Sequence, residues 1–190
     1  MDRIIKPGAG LLYMKVGTHA QESLPDIIRR KRAEIETAGY ALWGYGGNTC
    51  HPLSMVQPFA KSYERRGQVI YLCMQPMTSK HAADPDRAKE MSSDGVNWEE
   101  IPPALNVLGS RYALAVVDLH EEVIDLPLSQ TQVALGTSRG RPGNQYVTGR
   151  VDKACLKVLD DQMPCREDDA PVQIGLVARL VQPYAVFVRN

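Results

Sequence analysis

One segment of this chain repeats its apolar residues at helical spacing, and nearly everything else apolar comes in short β-type runs. Leu24, Ile27, Ile28, Lys31, Ile35 and Ala38 fall on one helical stripe. Ser23 stands at the N-cap with Asp26 three residues on, and Pro25 is tolerated in a first turn. Gly39 follows where a helix end takes a left-handed residue. Arg29, Arg30, Lys31 and Arg32 are expected mainly on the outer face.

Against this one firm helix stand many strand-like runs. They are Leu11–Val16, Tyr40–Tyr45, Val69–Met74, Arg111–Leu119, Val123–Leu126, Gln132–Gly136, Gln145–Val151, Ala154–Leu159, Gln173–Leu180 and Tyr184–Arg189. A helical turn is expected around Phe59–Tyr63. A short helix is expected from Asp84, as cap, through Met91, with Pro85 at its first position. Residues 80–106 read as an irregular acidic excursion. Strands joined by short turns favour antiparallel pairing. The expected fold is α+β. Residues 1–190 form a single domain, a mainly antiparallel curled sheet or small barrel with one N-terminal helix and one or two short helices.

The 190 residues hold 22 basic and 22 acidic side chains, and this neutrality excludes generic duplex-DNA binding by bulk charge. The balance is uneven along the chain: residues 1–80 carry 11 basic and 6 acidic groups, and 81–135 carry 3 and 10. Residues 136–158 then carry 5 and 1. A local field can attract a charged ligand despite overall neutrality. Met1–Gly10 lacks the apolar core of a secretory signal, and the apolar runs are too short to span a bilayer. The expectation is a cytoplasmic protein with no membrane partner. Cys50, Cys73, Cys155 and Cys165 form no CxxC pair and are expected reduced. The histidine spacing shows no metal motif, so neither a metal site nor a cofactor is expected.

Two loops concentrate residues suited to binding. Trp43-Gly-Tyr-Gly-Gly-Asn-Thr-Cys-His51 places Trp43 and Tyr45 on the same side of an extended strand. Its glycines let backbone amides approach a ligand, and Asn48 and His51 add polar groups. Gly136–Tyr146 carries Arg139 and Arg141 in a loop able to close on a phosphate or carboxylate. Trp43, Tyr45, Asn48, His51, Arg139 and Arg141 are therefore the expected ligand-binding residues, for a nucleotide, a nucleobase or a similar anion. No catalytic residue is assigned, and the reading leans away from an enzyme.

Two other classes stay open. The acidic 81–135 segment could serve a protein-inhibitor or adaptor, such as a phage-encoded one, by docking on a partner's basic surface. Cys50 with a distant histidine, or the paired carboxylates Glu99-Glu100 and Glu121-Glu122, could serve a hydrolase.

Leu11–Val16, Ser23–Ala38 and Trp43–Asn48 run strand, helix, Trp-bearing strand and Asn-containing turn. This order resembles the start of PUA- and EVE-type domains, small β-barrels that read modified bases or structured RNA. The resemblance covers these three segments and implies no functional residue.

Overall fold

The computed structural model describes residues 4–46, 50–81, 84–148, 151–160 and 171–190. Strand β1 (Gly10–His19) leads into helix α1 (Leu24–Ala38) and strand β2 (Ala41–Gly44). A π-helical turn (Pro52–Val56) then runs into α2 (Gln57–Glu64) and strand β3 (Tyr71–His81). Short strands β4 (Glu90–Ser92) and β5 (Glu99–Glu100) precede the long β6 (Tyr112–Leu126). β7 (Thr131–Val133), the one-turn α3 (Gly143–Tyr146), β8 (Lys153–Val158) and the long β9 (Val172–Arg189) complete the order.

The strands form one mixed sheet in the order β2-β6-β9-β3-β1-β8-β7, with β4 on β9 and β5 on β4. The sheet is not closed into a barrel. Among the described residues β1 and β3 are the one parallel pair, and every other ladder is antiparallel.

Strand alternation distributes the core. Leu12, Met14, Val16, Leu72 and Met74 face the side covered by α1 and α2, where Ile27, Ile28, Phe59 and Tyr63 meet them. Leu11, Tyr13 and Cys73 face the other way, against Leu126, Leu128, Val133 and Ile174. A third apolar group joins Leu42, Ala113 and Ala115 to Ala88, Ile101, Leu105 and Val107.

Helix α1 forms for the expected local reasons. Ser23 Oγ accepts the Asp26 backbone N–H at 3.3 Å, and Gly39, at φ 83°, donates its N–H to Ile35 O. The helix buries Lys31 and Glu34 as well as Ile27 and Ile28, so Lys31 leaves the outer face.

Other elements depart from expectation for non-local reasons. Residues 84–91 do not form a helix. Their backbone is taken up by the β9 edge, with Lys89 N–H donating to Arg189 O and Met91 opposite Val188. The expected strand Gln145–Val151 lies partly outside the described residues, and its start is not a strand: Gln145 and Tyr146 belong to the single turn α3, capped by Pro142, which packs on the turn before β7. The two pairs of late strands fuse into β6 and β9, whose shared register slips three times, once beside Asp118 at φ 53°. Among the described residues no helix is long and apolar enough to cross a membrane.

Candidate functional site

The main cavity opens at the carboxyl ends of the parallel pair β1 and β3, the usual place for a ligand beside parallel strands. It has a volume of about 580 Å³. Lys15 to His19 of β1, Met77 and Ser79 of β3, the end of β2, the inner face of α1 and the 106–111 loop surround it. Asp152 and Lys153 close the remaining side.

Glycine makes part of this rim possible. At Gly17, where the β1–β3 register slips, a Cβ would lie 2.6 Å from Met77 O. At Gly44 a Cβ would lie 2.8 Å from Ser110 Oγ, so the end of β2 can sit against the 106–111 loop.

Five basic residues border the cleft, Lys15, Arg30, Lys31, Arg111 and Lys153, against two carboxylates, Glu22 and Asp152, and strand alternation turns the Lys15 side chain to the face of Leu11 and Tyr13. Arg30 and Lys31 are committed inward. Lys31 Nζ donates to both Glu34 oxygens at 2.9 Å and to Asn106 O at 2.5 Å. Arg30 donates to Glu22, Glu34 and Asn106 O. Burial pulls the Lys31 ammonium down to about 8, with Glu34 opposing that pull. Lys153 Nζ lies 3.1 Å from Asp152 and 5.4 Å from the Tyr45 ring centroid. Among the described residues no ion pair engages Lys15 or Arg111.

His19 and Ser110 also reach the cleft. His19 Nε2 is 3.1 Å from Leu108 O and 3.4 Å from Ser110 Oγ. A carbonyl can only accept, so the shorter contact places the proton on Nε2 and removes that nitrogen as a base for Ser110.

The expected binding residues divide. Trp43 contributes to the cleft wall, but at 3% exposure it is floor and not a free stacking platform. Tyr45 lies on the same side of the sheet as Trp43, as alternation requires, and is fully buried. Burial, with the neighbouring Cys50 and Cys155 thiols, pushes its phenol well above the ordinary value. Asn48 lies outside the described residues.

His51 is structural in this geometry. Its Nδ1 accepts the Leu53 N–H at 3.3 Å at the start of the π-helical turn. Its ring packs edge-on against Tyr112 and Phe187. Arg139 and Arg141 are exposed and do not line the cleft, although their loop is close to the His51 segment, where Gly136 meets Met55. Of the basic residues that border it, Lys15, Arg111 and Lys153 come from three distant stretches with no shared spacing. The readable signal was Lys31, a lysine on an apolar stripe with Glu34 three residues on.

The acidic segment is partly neutralised from outside. Glu90 pairs with Arg189 at 2.5 Å, Asp118 with Arg179 at 2.8 Å and Glu121 with Arg32 at 3.2 Å. Among the described residues no group of three or more His, Cys, Asp or Glu could hold a metal ion. No protein-family model, curated protein or solved structure matches the chain.

Proposed function

We propose that this chain is a binding protein for a small organic anion, with a nucleotide unit as the ligand class. The ligand's charged group meets Arg111 and Lys153 beside the cleft floor. Its apolar or planar part rests on the floor of Trp43, Met14, Val16 and Ile27. The observation that carries this reading is an apolar floor beside two cations, Arg111, which no ion pair among the described residues engages, and Lys153, whose partner Asp152 is half exposed. A phosphate or carboxylate would satisfy those two cations in a partly dehydrated space, where charge-assisted hydrogen bonds are strongest. A cleft of about 580 Å³ lies within the usual range for small-molecule sites.

Binding without turnover is favoured over hydrolysis by the state of the nucleophiles and bases. His51 Nδ1 accepts the Leu53 N–H, both ring nitrogens of His120 are engaged by Asp118 O and Glu122, and Cys50 faces a second thiol. The adaptor reading is less favoured, because Arg32, Arg179 and Arg189 already occupy three of the acidic side chains.

Calorimetric titration with nucleoside mono-, di- and triphosphates and with free nucleobases tests the proposal. At least one phosphorylated probe should bind, and Arg111→Gln with Lys153→Gln should weaken it by at least about tenfold, roughly 1.4 kcal/mol. Arg139→Ala and Arg141→Ala should cost less than that. Failure of every probe to bind the folded protein would refute the nucleotide assignment.

A further inference from the structure

Cys50 and Cys155 are 105 residues apart in sequence, yet their sulfurs lie 3.7 Å apart in the folded chain. Each residue is 1% exposed. Cys155 is fixed in β8, two residues beyond Lys153 of the cleft. Cys50 follows the end of β2 and holds a left-handed backbone, φ 59°, that a non-glycine residue seldom adopts. Tyr45 stands beside both sulfurs, and the neighbouring glycines Gly44 and Gly46 line the cleft. The thiol pair therefore lies just behind the cleft wall.

We propose that Cys50 and Cys155 form a redox-active dithiol site, oxidised by a hydroperoxide to an intramolecular disulfide. The Cys50 thiolate attacks one peroxide oxygen, the O–O bond breaks, and Cys50 sulfenic acid forms as hydroxide leaves and takes a proton. The Cys155 sulfur then attacks the sulfenic sulfur; the S–O bond breaks, an S–S bond forms, and the Cys155 proton leaves with the hydroxide as water. Two thiols and one hydrogen peroxide become one disulfide and two waters. Two electrons pass from the sulfurs to the peroxide.

The assignment of roles follows from the surroundings. The Cys155 thiol donates toward Cys50, and the Cys155 backbone N–H and the Lys153 ammonium are near its sulfur. These donors hold the Cys50 thiol below its ordinary value against the effect of burial. The Cys155 thiol, donating and buried, is held well above its own. Cys73 is a contrast within the same protein, because burial, with the Glu122 charge, pushes its thiol up to about 12. Hydrogen peroxide is little larger than water, which suits a pair so thoroughly enclosed.

Thiol mapping of the wild-type chain tests this independently of any ligand. The reduced protein is treated with a small excess of hydrogen peroxide, denatured, alkylated and digested without reductant. Two of the four cysteines should escape alkylation, a peptide pair joining Cys50 to Cys155 should appear, and dithiothreitol should reverse both changes. In Cys155→Ser, dimedone should trap a sulfenic acid on Cys50. Four alkylatable thiols after treatment would overturn the proposal. So would a cross-link from either residue to Cys73 or Cys165, or sulfinic acid on Cys50 without a cross-link.

Discussion

Lys31 Nζ lies 2.9 Å from each carboxylate oxygen of Glu34, one turn on along α1, and both side chains are buried beneath the cleft. Removing one partner leaves a charge in a site that water cannot reach. Glu34→Ala should therefore destabilise the protein by about 3–5 kcal/mol. Replacing both, Lys31→Met with Glu34→Leu, should cost far less. Urea unfolding of the three proteins measures the difference; equal losses in the single and double variants would contradict a buried ion pair.

The same lysine gives stability a pH dependence. Burial holds its folded value at about 8, against 10.5 for an unburied lysine, so between these values the unfolded chain binds the extra proton. Stability should rise with pH across that window, and the penalty of the charged form should be fully present below it. The melting temperature of the wild type, relative to Lys31→Met, should climb from about pH 8 toward 10. A flat difference would contradict the assignment.

Gly17 is the residue that lets β1 slip its register against β3 at the cleft mouth. A Cβ there would meet Met77 O at 2.6 Å, and a backbone carbonyl cannot swing aside as a long side chain can. Gly17→Ala should cost about 1–3 kcal/mol, readable as a lowered midpoint in denaturant unfolding. Gly46→Ala, where a Cβ would meet open space, is the control.

Asp94 organises the exposed turn between β4 and β5. Its carboxylate accepts from Asn97 N–H at 2.7 Å, Val96 N–H at 2.8 Å, Asn97 Nδ2 at 2.6 Å and Ser92 Oγ at 2.9 Å. These donors, the Asn97 backbone first, hold the carboxyl well below the usual carboxylate range. A depressed carboxyl stabilises the fold above its unfolded value and loses that contribution as pH falls through the folded one. Asp94→Ala should thus be less stable than wild type at neutral pH. The gap should narrow below about pH 4, and thermal melts at both pH values would check this.

How legible these features were in the sequence depends on whether their causes are local. Helix α1 was readable end to end, because Ser23, Pro25 and Gly39 act within a turn of where they stand. The shared side of Trp43 and Tyr45 was readable from strand alternation. Residues 84–91 carry helix-start signals that lose to backbone pairing with Arg189, about a hundred residues away. β6 read as two strands because its register slips around Asp118 and Glu121 interrupt the apolar alternation. The cleft itself has no sequence signature, since Arg111 and Lys153 come to one cleft only once the 106–111 loop and β8 are assembled.

The most direct test of the anion cleft uses its own floor as the reporter. The chain has two tryptophans, and Trp98→Phe leaves Trp43 alone while keeping a ring beneath Arg189. Titrating this variant with nucleoside mono-, di- and triphosphates should give a saturable change in Trp43 emission. The change should weaken with added salt, and its midpoint should rise by at least about tenfold when Arg111 and Lys153 are both replaced by glutamine. No change with any phosphorylated probe, or a midpoint unmoved by loss of both cations, would contradict an anion-binding cleft.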